Sequence, residues 1–530
     1  MGGATVGYAL ARAGWRVLFC EKGRSTLDGT NALRGDYAES HFTGNPGSAA
    51  DSIGTLARAG RQAEAICDLS GARPRRFVPF VGSGTGGSSA LYGMALERFF
   101  PADFTPRTHH AEAAESTLPD QWPISYAELA PFYEMAERLY RVRGSPDPLK
   151  DNESASAMDA APEFSRATRA FADCLERRGL HPYHLPMACA YVPNCQGCQG
   201  YLCALSCKRD SATVCLAPAL EEHGATLVDE CEVLRLESDG HAVTGVVCRR
   251  RGAEARLEAR TIILAAGALA TPGLLLRSRS QDFPRGLANT SGMVGKNLMR
   301  HFVDLYAIFQ KGHHAADGNV KELGCNDFYV TPEGKYGSLQ SFGRLPPART
   351  LVESMASDLH HDVGRWAAFG VRIARPVIEP LVARVFSRQL MLASILEDLP
   401  YAHNEVTTSD GSDETGVCIR YRIDAPAAKR IVDFRRMISR ALKPHRFLLI
   451  KQAQSNERLA HVCGTCRFGL DPRTSVLNSN NQTHDLANLY VVDASFFPSS
   501  GGTNPALTIG ANALRVAEHV IRLHQAKEPG

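Results

Sequence analysis

His461-Val462-Cys463-Gly464-Thr465-Cys466-Arg467-Phe468-Gly469 is followed by Asn488-Leu489-Tyr490-Val491-Val492-Asp493-Ala494-Ser495-Phe496-Phe497-Pro498, and then by Thr503-Asn504-Pro505-Ala506-Leu507-Thr508-Ile509. Leu489 to Val492 is a short apolar run of the kind that makes a buried strand. It ends in Asp493, small residues and Pro498. Gly501, Gly502 and Pro505 punctuate a loop, and a helix is predicted to begin near Leu507 and to run through the Ala-, Leu- and Val-rich stretch Gly510 to His524. Strand, loop and helix in this order present backbone N–H groups to a phosphate or a ring carbonyl in α/β folds. A lone histidine such as His461 is more often a satisfied structural residue than a catalytic one; the block around it and Asn504 reverse that balance.

Two other stretches read the same way. Val81-Gly82-Ser83-Gly84-Thr85-Gly86-Gly87-Ser88-Ser89-Ala90-Leu91-Tyr92-Gly93-Met94 has side chains small enough for backbone to approach a pyrophosphate closely. Thr261 to Leu264 is a buried strand ending in the Ala265-Ala266-Gly267-Ala268 turn, and a helix is expected from Thr271-Pro272, with proline near its first turn. Thr226 to Leu236 and Val243 to Arg249 read as two strands around a turn at Ser238-Asp239-Gly240.

The chain opens Met1-Gly2-Gly3-Ala4-Thr5-Val6-Gly7. Ala4 to Ala13 reads as a helix, Arg16 to Cys20 as a strand, and Glu21 follows Gly3 by 18 residues. This is the second half of a dinucleotide-binding fingerprint, with Gly3 as its third glycine and Glu21 placed to reach ribose hydroxyls. The expectation is a chain truncated at its N-terminus, without the first strand; a secretion signal would lie in the missing piece, and the alternative is a genuinely short variant.

Taken together these motifs resemble the signatures of the glucose–methanol–choline (GMC) family of FAD-dependent alcohol oxidoreductases. The resemblance implies an FAD/NAD(P)-binding, Rossmann-like doubly wound α/β domain with an inserted α+β substrate-binding lobe. It implies that His461 and Asn504 face the flavin and act on the substrate oxygen. It also implies FAD contacts from Gly3, Glu21, Gly86, Gly87, Ser88, Ser89, Tyr92, Gly93, Met94, Val233, Ala266, Gly267, Asp493, Ala494, Asn504 and Pro505. Tyr92 stands where the family usually has Asn. Gly286-Leu287-Ala288-Asn289 and Val294-Gly295-Lys296-Asn297-Leu298-Met299 also match family positions. Flavin-domain segments are expected at 1–110, 206–304 and 455–530, and substrate-lobe segments at 111–205 and 305–454.

Length and composition fit this organisation. A chain of 530 residues exceeds one simple core. With 44% hydrophobic and 22% charged residues it is an ordinary globular protein, and a net charge of +3 gives no reason to invoke nucleic acid. No stretch has the roughly 18 uninterrupted apolar residues of a membrane span. Val371 to Glu397 comes nearest, interrupted by Arg372, Arg375, Glu379, Arg384 and Arg388. It is expected as one or two helices around Pro376 and Pro380 packed on the substrate lobe, with a membrane-surface contact as the second reading. The expected location is cytoplasmic.

Six of the fifteen cysteines fall between Cys189 and Cys215. The spacing C-x2-C-x4-C-x3-C from Cys195 to Cys207 invites a metal. It is similar to the segment that carries a 3Fe–4S cluster in bacterial sugar dehydrogenases of the family, which would make Cys198, Cys203 and Cys207 ligands. Cys203-x3-Cys207-Lys208 fits that pattern; Cys198 is one residue too near. Zinc and free thiols remain the alternatives. The expected reaction is oxidation of a primary or secondary alcohol, with an electron-acceptor protein or quinone rather than oxygen as the partner. An oxygen-using oxidase, a flavin-dependent lyase and a non-catalytic flavin-binding remnant are the rivals.

Overall fold

The computed structural model describes residues 1–27, 31–42, 49–150, 156–309, 321–352, 356, 365–386, 389–409 and 416–525. Strand Leu18–Cys20 pairs in parallel with Thr226–Val228, and Ile262–Leu264 pairs in parallel with Leu489–Val491. Helix Gly2–Arg12 lies against the C-terminal helix Ala506–Gln525, burying Val6 and Leu10 among Val492, Val516 and Val520. The run Leu489–Val491 is buried at every residue, as a strand covered on both faces must be.

Two boundaries differ from the sequence expectation. The run from Thr226 to Leu236 breaks at Asp229-Glu230, where Glu230 takes a left-handed φ of +51°. Strand Cys231–Ser238 then forms an antiparallel sheet with Val243–Arg250 and Ala253–Leu257. Helix Gly267–Arg277 starts ahead of Pro272, which therefore sits in its interior. Proline has no N–H for the carbonyl four residues back, that of Ala268. The Thr465 hydroxyl donates to that carbonyl at 2.7 Å instead. A residue of the His461–Gly469 block thus completes a helix nearly two hundred positions upstream.

The second body is an antiparallel sheet in the order Arg446–Ile450, Met299–Phe309, Leu390–Leu396, Gly337–Ser341, Leu323–Cys325, Tyr183–His184. Strand Ala460–Cys463 pairs with the start of Met299–Phe309 through an irregular register. Leu390–Leu396 is buried throughout; helix Ala425–Ala441 contributes Ile431, Phe434 and Ile438 to the same core. Helix Arg365–Phe386 differs from expectation in another way. It is one helix containing both prolines, with none of its described residues buried, and the end of the stretch read as helical, Leu390–Leu396, is the sheet's strand instead. Arg388 lies outside the described residues. Among the described residues no helix is long and apolar enough to cross a membrane.

The two bodies meet over the loop Ser499–Thr503, whose residues are all buried. An irregular buried loop must find partners for its backbone groups within the protein. Trp122 Nε1 donates to Ser499 Oγ at 2.7 Å, Tyr329 Oη accepts from Gly502 N at 2.7 Å, and the Gly502 carbonyl accepts from Ser338 N at 3.0 Å. Tyr329 in turn donates to Asp103 at 2.8 Å. Lys335, fully buried, bridges Asp103 at 2.7 Å and Glu397 at 2.5 Å, and His110 Nε2 lies 2.9 Å from Glu397. Burial opposes the lysine charge, but the two carboxylates outweigh it and hold the Lys335 pKa above its ordinary value. Lys335→Met would leave two buried carboxylates facing each other. A loss of about 3–5 kcal/mol is expected in urea unfolding, the range for breaking a buried pair. A loss under about 1 kcal/mol would make the bridge worth no more than a surface pair.

Candidate active site

His461 sits in the strand Ala460–Cys463 with φ at +55°, a left-handed conformation that is uncommon outside glycine. Three residues on, Gly464 has φ at +92°, and a Cβ there would come within 2.5 Å of the Asn297 carbonyl oxygen. The block therefore needs glycine at its fourth position for the chain to turn against Asn297 and Met299. Backbone N–H groups of Gly464, Cys466 and Phe468 then donate to the carbonyls of Ala494, Ser495 and Phe496, locking the histidine block to the segment after Asp493.

His301, on the paired strand, was not identified from sequence. Its Nδ1 lies 2.8 Å from His461 Nδ1, and its Nε2 lies 3.1 Å and 2.9 Å from the carbonyl oxygens of Ser500 and Gly501. Carbonyl oxygens can only accept, so His301 Nε2 carries the proton. Burial holds the His301 pKa down to about 4, so the ring is neutral and its Nδ1 is an acceptor. His461 must then donate from Nδ1, which leaves the lone pair of His461 Nε2 free. Burial, with His301 and Lys321 nearby, keeps the His461 pKa well below the ordinary value. The only sequence signal for His301 is a histidine within an otherwise largely apolar strand.

Asn504 is buried on the same loop. Its amide donates to Gln340 Oε1 at 2.9 Å and reaches Glu97 Oε2 at 3.5 Å. Glu97 also accepts from Thr503 Oγ1 at 2.6 Å and from the Tyr183 hydroxyl. His461 and Asn504 share no hydrogen bond among the described residues; they are joined through His301 and the 500–504 loop. Lys321, buried beside Gly93, lies within Coulombic reach of both Glu97 and His461, and burial lowers its pKa to about 8. Glu97, Gln340 and Lys321, too, carry no motif in the sequence.

Several of the expected cofactor contacts are tied to one another by hydrogen bonds. Glu21 accepts from the N–H groups of Gly23 at 2.8 Å and Gly84 at 3.1 Å, which ties the N-terminal segment to the glycine loop. Gly3 packs so closely that a Cβ would meet Ala265 Cβ at 2.7 Å. Ser89 Oγ donates to the Gly86 carbonyl at 2.7 Å, and Ser88 Oγ accepts from Gly82 N at 3.1 Å. Tyr92 donates to the Arg209 carbonyl at 2.5 Å; Met94, after Gly93, is fully buried at a left-handed φ of +61°. Asp493 accepts from Gly267 N at 2.9 Å, Thr271 Oγ1 at 2.5 Å and Ser495 N at 2.8 Å, so it joins the Ala266-Gly267 turn to Ala494. The Val233 carbonyl accepts from Arg277 at 3.1 Å, and the Pro505 carbonyl accepts from Ile509 N at the start of the C-terminal helix. Gly87 and Gly267 have φ of +51° and +88°, and a Cβ on either would meet nothing within 4 Å. Open space beside left-handed glycines is what a bound cofactor's approach to backbone requires, and the residues present fit FAD in this respect.

The cysteines form a ladder rather than the set drawn from spacing. Cys189 lies 3.6 Å from Cys195, Cys195 lies 3.1 Å from Cys207, and Cys207 lies 3.3 Å from Cys203, sulfur to sulfur. Cys198 adjoins Cys203. The three sulfurs lying mutually within 4.8 Å are those of Cys189, Cys195 and Cys207; of the three expected ligands, Cys207 alone is among them. Cys189 lies outside the spacing pattern from Cys195 to Cys207, and the pairing of its backbone with Lys208 brings it in.

Models of GMC oxidoreductase regions match residues 45–303 and 400–513. The chain is 30% identical over 466 residues to 2-methyl-1,2-propanediol dehydrogenase of Mycolicibacterium austroafricanum, covering 84% of this chain and 82% of that one. It is 29% identical over 466 residues to 6'''-hydroxyparomomycin C oxidase of Streptomyces lividus, covering 83% and 79%. The fold is similar to that of pyridoxine 4-oxidase from Mesorbium loti, with a TM-score of 0.62 at 20% identity over 98% of this chain and 97% of that one. The matched regions contain the glycine loop, His301 and the whole His461–Asn504 block, and the chain belongs to the GMC oxidoreductases.

Proposed function

We propose that this protein oxidises a primary or secondary alcohol to the carbonyl compound with FAD as its resident cofactor, passing the electrons to an acceptor other than oxygen. The observation that carries the reading is the proton order along Ser500/Gly501–His301–His461, which leaves His461 Nε2 bare. A bare, neutral imidazole nitrogen suits a general base for the substrate hydroxyl. Asn504, held by Gln340 and Glu97, would hydrogen-bond the same oxygen and fix the approach. Gly86, Gly87, Gly267 and the backbone around Asp493 to Pro505 would hold FAD. When bound, FAD supplies the hydride acceptor for the carbinol carbon. The buried loop around the histidines keeps the reacting oxygen away from bulk water.

The relatives named as a dehydrogenase and an oxidase both support alcohol oxidation and divide on the acceptor. The cysteine-rich segment, similar to the one that carries an iron–sulfur cluster in sugar dehydrogenases of the family, tilts the reading toward a dehydrogenase. Anaerobically purified protein with full flavin but less than stoichiometric iron would remove the cluster and that argument. All fifteen cysteines are free, which suits a reducing compartment and supports a cytoplasmic location.

His461→Ala is expected to lower turnover with a dye acceptor by roughly 10²–10⁴ while flavin content is retained. Unchanged turnover would refute the assignment of the base. The pH dependence has a definite sign. An unfolded histidine takes up a proton below about 6.5, whereas His301 stays neutral down to about 4 and His461 is also held low. The unfolded state therefore binds more protons in that window, and stability falls as pH drops from 6.5 toward 4. The slope is up to about 1.4 kcal/mol per pH unit for each histidine. Urea midpoints measured across this range check it; His301→Gln should flatten the profile, and an equal slope in that variant would contradict the account.

A further inference from the structure

Helix Arg365–Phe386 is 22 residues long, about 33 Å at the usual helical rise. Trp366, Phe369, Ile373, Val377 and Leu381 recur at three- and four-residue intervals and form one stripe. Their exposures are 88%, 57%, 65%, 75% and 59%. The other exposed residues described on this helix are Gly370, Pro376, Pro380, Ala383 and Arg384. Among the described residues the outward face is therefore apolar apart from Arg384. The opposite face, with Val371, Ile378 and Val382, is half-buried, and Phe386 packs against the sheet beside Val303 and Ile450. A helix that is apolar on its outer as well as its inner side is one that something covers.

The charge of the segment identifies the cover. Residues 365–388 contain five arginines and a single glutamate. That glutamate, Glu379, accepts from Arg375 Nε at 2.7 Å on the half-buried side. No acidic side chain faces outward among the described residues. We infer that this helix docks on an anionic lipid bilayer, lying in the headgroup plane with the Trp366–Leu381 stripe in the acyl boundary and the net positive charge of the segment drawn to the lipid phosphates. A second copy seated on the same face would bring arginine-rich segments together, and lipid phosphate meets them with opposite charge. The inference is independent of the alcohol-oxidising reading, because it uses no residue of the histidine site.

Sedimentation of the flavin-loaded full-length protein with vesicles tests it. Vesicles of phosphatidylcholine with phosphatidylglycerol should carry the protein down at low salt, and raised salt should weaken this. Phosphatidylcholine alone should carry down much less. Ile373→Glu/Val377→Glu should lower binding to the anionic vesicles by roughly tenfold or more, with dye-linked turnover and thermal midpoint unchanged. The inference is overturned by native protein that stays in the supernatant, by a double variant that binds as well as the native chain, or by equal binding to both vesicle types. A native dimer that the double variant converts to monomer, without vesicle binding, would overturn it in favour of a second copy.

Discussion

A loop with no regular structure, Ser499–Thr503, is buried between two bodies, and most of the site is organised by the need to satisfy its polar groups. Buried backbone that lacks partners costs as much as a lost hydrogen bond or more. Helices and sheets meet that need internally, whereas this loop depends on others. Trp122, Tyr329, Ser338 and Asp398 each serve it from a different part of the chain. His301 serves it too, by donating to Ser500 and Gly501. That structural duty fixes the imidazole tautomer and hence the proton on His461. The chemistry of the site is in this sense a by-product of closing the loop's hydrogen bonds.

The same loop explains why ionised groups lie so deep. Asp103, Lys335 and Glu397 are fully buried, and Tyr329 links them to Gly502. An ion triad of this kind contributes little net stability against an apolar replacement. What it does here is orient a phenol that has to meet one backbone N–H. Glu97 plays the matching part at the other end, where Thr503, Asn504 and Tyr183 converge on it.

Much of this was legible in the chain because small residues and punctuation report backbone geometry directly. The strand at Leu489–Val491 and the helix start at Ala506 follow from an apolar run and from Pro505. Gly464 marks a close approach, and Gly87 and Gly267 mark positions with open space beside the backbone. What could not be read depends on pairing over long distances. His301 becomes meaningful only when an irregular strand pairing puts it against His461. Cys189 joins the thiol ladder only through its bridge to Lys208. Pro272 looked like a helix start because its lost hydrogen bond is made good by Thr465, from another segment. The helix at Arg365–Phe386 has a periodicity that shows an apolar stripe, but periodicity does not say which way a stripe faces.

The Thr465 hydroxyl on the Ala268 carbonyl has a consequence for how such sequences can drift. Proline at 272 is harmless only while a donor stands at 465, and a donor at 465 is fully used only while proline leaves that carbonyl open. Loss of the threonine alone strands the buried Ala268 carbonyl; loss of the proline, or of both together, restores the ordinary helical bond. The two positions are therefore epistatic, and the order of substitution matters. A lineage that gives up the proline first keeps a threonine with a redundant hydrogen bond, whereas one that gives up the threonine first passes through a destabilised intermediate.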